Sequence, residues 1–162
     1  MEKNEFKPNI VAFCCTWCTY TGADLAGISR MIYPSNVKII RTMCSGRVDP
    51  QFVMKAFREG ADGVMICGCH PGDCHYQDGN VKTMRRYPLL VEMLGQFGIE
   101  EDRMMLEWVS ASEGDKFAEI CEVMTERVKK LGPLGMKRKG QDFRQALMHP
   151  AKKIDEEVPV KV

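Results

Sequence analysis

Eight cysteines in 162 residues carry most of the chemical potential of this chain. FCCTWC holds Cys14, Cys15 and Cys18, with the last two as a Cys-x2-Cys pair; Cys44 stands alone before SGR. CGCHPGDCH supplies Cys67, Cys69 and Cys74, the last two as Cys-x4-Cys on a backbone that Gly and Pro bend sharply. Thiolates are soft ligands, so thiols that converge can hold structural zinc or an iron–sulfur centre. A Cys-x2-Cys pair in an α/β chain can also cycle between dithiol and disulfide. The chain has no run of eighteen apolar residues, and its first residues, MEKNEFKPNIV, lack the apolar h-region of a secretory signal. A cytoplasmic setting follows as the expectation, and there reduced thiols favour metal binding or redox chemistry over structural disulfides.

The elements that must position these thiols are legible in the hydropathy pattern. NIVAFCC (9–15), VKIIRTMC (37–44) and GVMICGC (63–69) each read as a buried strand, and RMMLEWV (103–109) as a weaker fourth. Helical patterns follow each: ADLAGISRMIY, DPQFVMKAFREG, VKTMRRYPLLVEMLGQFG and EGDKFAEICEVMTERVKKLG. Asp49 and Pro50 suit a helix start, Gly60 a left-handed helix end, and Ser110 with Glu113 has capping-box spacing. Gly132 and Pro133 close the last helix, whereas Pro88 predicts a kink or two shorter helices in the third.

Strand alternating with helix four times predicts an α/β domain over 1–131, with a four-stranded parallel sheet and flanking helices, flavodoxin-like in its simplest form. Residues 132–162 lose these signals and read as a C-terminal extension, with a short helix at DFRQALM. The extension has seven Lys or Arg against four Asp or Glu, so its basic residues, Lys137, Arg138 and Lys139 among them, suggest contact with a partner subunit. The whole chain carries only +1, which argues against a nucleic-acid binder or a membrane-surface protein.

Ligands of open parallel sheets collect beyond the carboxyl ends of the strands, and seven of the eight cysteines fall there. Cys14 and Cys67 end apolar runs and read as small buried hydrophobes; Cys121 lies on the apolar stripe of the last helix with Phe117, Met124 and Val128. Cys15, Cys18, Cys44, Cys69 and Cys74 remain as five candidates for four metal-ligand positions. A sheet with its own core needs no zinc staple, so an iron–sulfur centre is favoured over zinc. His70 and His75 directly follow cysteines, which suits an outer hydrogen-bonding role better than ligation. Ser45, Arg47 and Asp73 could tune such a centre or simply be loop polarity, and Trp17 and Tyr20 could shield it or pack beneath the loop. A thiol-disulfide oxidoreductase would leave Cys44, Cys69 and Cys74 unexplained. No general base beside a nucleophile is apparent, so no catalytic site of its own is expected.

FCCTWCTYTGADLAG (13–27), YPSNVKIIRTMCSGRVDPQFVMKAFREGADGV (33–64), CGCHPGDCHYQDGN (67–80) and LEWVSASEGDKFAEI (106–120) together resemble the delta subunit of the methyl-viologen-reducing hydrogenase of methanogens. The resemblance covers most of 9–131 and leaves the extension outside it. It implies a 2Fe-2S cluster whose cysteines fall on Cys15, Cys18, Cys44, Cys69 and Cys74, without saying which of the five is spare. It further implies a cytoplasmic hetero-oligomer in which this subunit relays electrons. The donor would be hydrogenase subunits, or a formate dehydrogenase in their place, and the acceptor the flavin-containing subunit of heterodisulfide reductase. A zinc-stabilised structural adaptor of the same kind of complex is the alternative.

Overall fold

The computed structural model describes residues 6–135. The expected short helix and the basic segment of the extension lie outside the described residues. Four strands, β1 (Ile10–Cys15), β2 (Val37–Thr42), β3 (Gly63–Gly68) and β4 (Met104–Trp108), form one parallel sheet in the order β2-β1-β3-β4. This is the flavodoxin-like order for its first four strands. Helices α1 (Thr19–Ile28), α2 (Pro50–Arg58), α3 (Gly79–Gln96) and α4 (Gly114–Leu131) flank it.

Strand alternation divides the core into two layers. Ile10, Ala12, Cys14, Met65 and Cys67 face α1 and α4, where Ala23, Phe117, Cys121 and Met124 meet them. Phe13, Val64, Ile66 and Met104 face α2 and α3 and pack on Val53, Phe57, Leu90 and Leu94. Cys14, Cys67 and Cys121 thus occupy the dry first layer, all fully buried, as their apolar surroundings in the sequence suggest.

Central β1 and β3 are buried almost throughout, but β2 is not the buried strand its composition suggests: Lys38, Ile40 and Arg41 are exposed. It is an edge strand, with one backbone side unpaired and outward-facing residues in water. Helix α1 begins four residues before the expected start and ends at Ile28, because Arg30 takes a left-handed conformation (φ 55°) and the chain turns toward Pro34. The apolar Ile28 and Ile32 that imitate a longer helical stripe are exposed. Helix α3 is continuous through Pro88 and does not split in two. Pro88 lies on the exposed side of the helix, where water can reach the carbonyl left without its N–H partner.

Several end signals act as read. Asp49 accepts from the Gln51 N–H at 2.8 Å, and Gly60 and Gly132 adopt positive φ. Glu113 reaches back to the Ser110 N–H at 2.7 Å, but Ser110 Oγ turns to Ser112 and leaves half of the capping box unmade.

Candidate metal centre

The carboxyl edge of the sheet gathers all five candidate thiols. Cys14 and Cys15 are consecutive on β1, so alternation sends the first into the core and aims the second the other way. Cys15 joins Cys18 at the start of α1 and Cys69 just past β3; the three sulfurs lie within 4.8 Å of one another, with Cys15 and Cys69 at 3.8 Å. Cys44, past β2, and Cys74, in the loop before α3, form a second group with sulfurs 3.9 Å apart. All five are free thiols, and none is more than 9% exposed.

These separations have a chemical meaning. A tetrahedral metal with metal–sulfur bonds of about 2.3 Å holds two thiolates about 3.8 Å apart. Cys15 with Cys69, and Cys44 with Cys74, each have that span. The trio taken alone would suit zinc or a four-iron centre equally well.

The backbone is shaped to the second pair. A Cβ at Gly79, the first residue of α3, would collide with Cys44 Sγ and come within 3.2 Å of Cys74 Sγ, so only glycine lets α3 approach the sulfurs. Gly46 in turn sits so close to Gly79 that its own Cβ would lie 2.7 Å from the Gly79 carbonyl. Asn80, buried behind it, donates from Nδ2 to the carbonyls of Cys69 (3.1 Å) and His70 (2.6 Å), tying the Cys69 loop to the helix that faces Cys74.

Electrostatics differ from thiol to thiol. Burial opposes ionisation of Cys74, but the N–H groups of Asn80, Tyr76 and Gly79 outweigh it and hold the thiol below its ordinary range. Cys15 falls to about 5, chiefly through a hydrogen bond from Cys18 and against the effect of burial. Cys18 rises correspondingly because it donates to Cys15 and is desolvated. Burial pushes Cys44 up to about 11 and raises Cys69, and a thiol of the same group, Cys74 for the first and Cys15 for the second, opposes ionisation further. Crowded thiols that oppose one another's ionisation are relieved when a cation binds.

Two buried hydroxyls, Thr16 Oγ1 and Ser45 Oγ, have no hydrogen-bond partner among the described residues, and each follows a candidate ligand. An unpaired buried hydroxyl calls for an acceptor. The donor set, the orphaned hydroxyls and the Gly79 cradle therefore fit a thiolate-bound metal or iron–sulfur group.

The other polar candidates separate clearly. His70 Nε2 pairs with Glu113 at 2.7 Å, and His75 stacks on Trp17 with ring centres 3.8 Å apart. Trp17 Nε1 donates to the Tyr76 hydroxyl at 3.2 Å, so an aromatic cover bridges the Cys15–Cys18 and Cys74 loops. Tyr20 packs under Arg41 and against the core, whereas Arg47 and Asp73 are exposed. Sequence reading missed Gly79, Asn80 and Thr16. The signal for the first two was present: Asp78-Gly79-Asn80 directly precedes an apolar helical pattern after a cysteine loop.

Fold and site define a class, a small parallel α/β domain that presents a thiolate-rich edge able to bind metal. Residues 10–132 match the family model described as the methyl-viologen-reducing hydrogenase, delta subunit, and the chain belongs to that family. It is 56% identical over 132 residues to the vhc iron-sulfur subunit of the F420-non-reducing hydrogenase of Methanococcus voltae, covering 82% of this chain and 92% of that one. It is 52% identical over 134 residues to an F420-non-reducing hydrogenase iron-sulfur subunit of Archaeoglobus profundus, covering 83% and 98%. A third relative is a subunit of the Ferredoxin/F(420)H(2)-dependent CoB-CoM heterodisulfide reductase of Methanosarcina acetivorans, 44% identical over 128 residues; the match covers 79% of this chain but 16% of that protein. Among the described residues no helix is long and apolar enough to cross a membrane.

Proposed function

We propose that this chain is a cytoplasmic iron–sulfur electron-transfer subunit with one 2Fe-2S cluster. It relays electrons from hydrogenase subunits, or a formate dehydrogenase, to the flavin-containing subunit of heterodisulfide reductase. The observation that carries the reading is the pair of sulfur–sulfur separations, 3.8 Å for Cys15 with Cys69 and 3.9 Å for Cys44 with Cys74. Two irons with two thiolates each need two such pairs. Cys44 and Cys74 serve one iron and two of Cys15, Cys18 and Cys69 the other, which leaves one thiol of the trio as the spare. When bound, the cluster supplies one-electron transfer; the chain's own part is to place the thiolates, shield them beneath Trp17 and His75, and present this edge to its partners.

Two features of the relatives support the assignment. The Methanococcus and Archaeoglobus relatives are named as iron–sulfur subunits of a hydrogenase. In the Methanosarcina proteins the homologous segment is part of a larger heterodisulfide reductase polypeptide, where it occupies 16% and 18% of the chain. Two functions joined in one chain commonly belong to one complex, which favours an acceptor of the heterodisulfide reductase type.

The asymmetry between Cys15 and Cys18 has the form a thiol-disulfide enzyme uses, with one lowered and one raised thiol. Such an enzyme must let a substrate disulfide reach sulfur, and Cys15 is 1% exposed and Cys18 6%. This burial supports the metal centre over the enzyme.

The test is anaerobic purification of the chain with its complex, followed by iron, zinc and acid-labile sulfide analysis and electron paramagnetic resonance. Equal iron and sulfide, two of each per chain, are expected. In the assembled complex, hydrogen should reduce the flavin partner only when this centre is present. Zinc without sulfide would sink the relay and leave the structural adaptor; disulfide exchange by metal-free protein would favour the enzyme.

A further inference from the structure

We infer that the Ser45 hydroxyl donates a hydrogen bond to a sulfur of the bound iron–sulfur centre and thereby raises its reduction potential. The inference rests on the iron–sulfur reading above and concerns a residue that is not itself a ligand.

Ser45 follows Cys44 and opens a single 3₁₀ turn, Ser45–Arg47. It is 1% exposed, and its Oγ is one of the two orphaned hydroxyls. Its place is fixed from two sides. A Cβ on Gly68 would lie 2.6 Å from Ser45 Oγ and 2.9 Å from Ser45 Cβ, so the serine fills the space over the residue just before Cys69. Behind it, Gly46 is pressed against Gly79 and the turn has no room to retreat. Ser45 is thereby wedged between the Cys44 loop and the Cys69 loop, next in sequence to one cysteine and in contact with the neighbour of the other.

The backbone acceptors nearby are already engaged. The Gly68 carbonyl takes the Val109 N–H at 2.9 Å, and the Thr19 hydroxyl is shared between the Gly68 and Val109 carbonyls at 3.4 and 3.3 Å. The Cys69 and His70 carbonyls take Asn80. A hydroxyl buried without an acceptor loses its bonds to water and gains nothing in return, so the fold bears that cost only where something else accepts from it. Ser45 Oγ bonds none of the cysteine sulfurs in the free thiol state, but a sulfur carrying the negative charge of a thiolate or sulfide accepts far better than a neutral thiol, and Ser45 stands between the loops that carry Cys44 and Cys69. Thr16, the other orphan, is only partly buried, and although its N–H is tied to the Thr42 carbonyl at 2.8 Å its side chain is not packed between two cysteine loops as that of Ser45 is.

The direction of the effect follows from charge. Reduction adds an electron to the centre and makes its sulfurs more negative, so a fixed O–H donor stabilises the reduced form more than the oxidised one. Removing the donor lowers the potential.

The experiment compares wild type with Ser45→Ala and Ser45→Gly in the full chain, purified anaerobically with its iron. Iron and sulfide should be unchanged in the variants, while a redox titration followed by electron paramagnetic resonance moves about 59 mV more negative, a tenfold change for a one-electron couple. After exchange into deuterated water, pulsed resonance of the reduced wild type should show a deuteron coupling that both variants lose. An unmoved potential with the deuteron coupling retained overturns the proposal while leaving the iron–sulfur reading intact. Loss of iron from both variants with an unchanged circular dichroism spectrum also overturns it, since an outer hydrogen bond tunes the centre and does not hold it. Wild-type protein without iron and sulfide would defeat the underlying reading instead, by a different measurement.

Discussion

The two ends of the sheet are built on opposite principles. At the amino end, polar groups find partners within the chain: Arg103, 1% exposed, reaches Glu100 at 2.6 Å and the carbonyls of Asp62 and Gly132 at 3.0 Å each. Asp62 in turn accepts from the Asn9 N–H at 2.8 Å and the Leu134 N–H at 3.2 Å, closing the chain's exit from α4 onto the sheet. At the carboxyl end, thiols oppose one another's ionisation, two hydroxyls are unpaired, and Trp17, Met43 and Tyr76 are about half exposed. Among the described residues, no buried side-chain polar atom at the first end lacks a partner. The other leaves polar groups unsatisfied, and conflict of that kind gathers at functional sites while the rest of the fold holds them in place.

If that contrast is right, the largest effects on metal content come from changes at the carboxyl end that the fold tolerates. Gly79→Ala places a methyl against both Cys44 and Cys74, so the variant should fold yet bind almost no iron; full iron content would show that the close approach of α3 is incidental. Cys44→Ala and Cys74→Ala should likewise bleach the protein. Cys14→Ser, Cys67→Ser and Cys121→Ser put a hydroxyl into the dry layer instead, and should lower the urea midpoint while leaving the visible spectrum unchanged. A reversal, with the core cysteines bleaching and the edge cysteines silent, would overturn the division.

Much of this division is legible before any coordinates, for a physical reason. Period-two alternation separates Cys14 from Cys15, and a parallel sheet sends its strand ends to one edge, so topology and cysteine positions together locate the site. Grouping into a trio and a pair is not legible, because it depends on how far each loop travels after its strand. Nor is the role of Gly79: in sequence it is an ordinary helix-start residue, and only its distance from Cys44 gives it meaning. The first turn of α1 is held by tertiary contacts as well, since Thr19 Oγ1 donates to the Val109 carbonyl at 3.3 Å and a Cβ at Gly22 would lie 2.8 Å from the Ser110 carbonyl. Local pattern cannot report a neighbour almost ninety residues away.

The contrast can also be attacked from the amino end. Arg103→Met keeps much of the side-chain volume but leaves the Asp62 and Gly132 carbonyls without their donor. Glu100 is half exposed, so no fully buried charge is stranded, and the expected loss is about 2–3 kcal/mol, below the range for breaking a buried ion pair. Denaturant unfolding should register that loss, while iron per folded chain and the midpoint potential stay at wild-type values. A moved potential would mean that the two ends are coupled through the sheet.

The smallest expected effect belongs to Glu113, where the carboxyl end borrows the logic of the other. Its carboxylate accepts from the Ser110 N–H and from His70, both at 2.7 Å, and these bonds hold its pKa near 2, below the ordinary 4.5. A carboxylate lowered by folding contributes stability that is fully present above its unfolded pKa and is lost as pH falls through its folded one. The window therefore runs from about pH 4.5 down to about 2. Because the group is substantially exposed, solvent screens the interaction and the contribution is modest. Glu113→Gln keeps the shape but removes the titration. Measured by urea midpoint on reduced, iron-free protein, so that acid loss of a metal centre does not enter, wild type should lose stability more steeply than the variant across that window. The gap between them should be widest above pH 5 and close toward pH 2. Parallel curves would show that His70 and Ser110 gain nothing from the charge, and the Glu113 anchor would then be only a matter of shape.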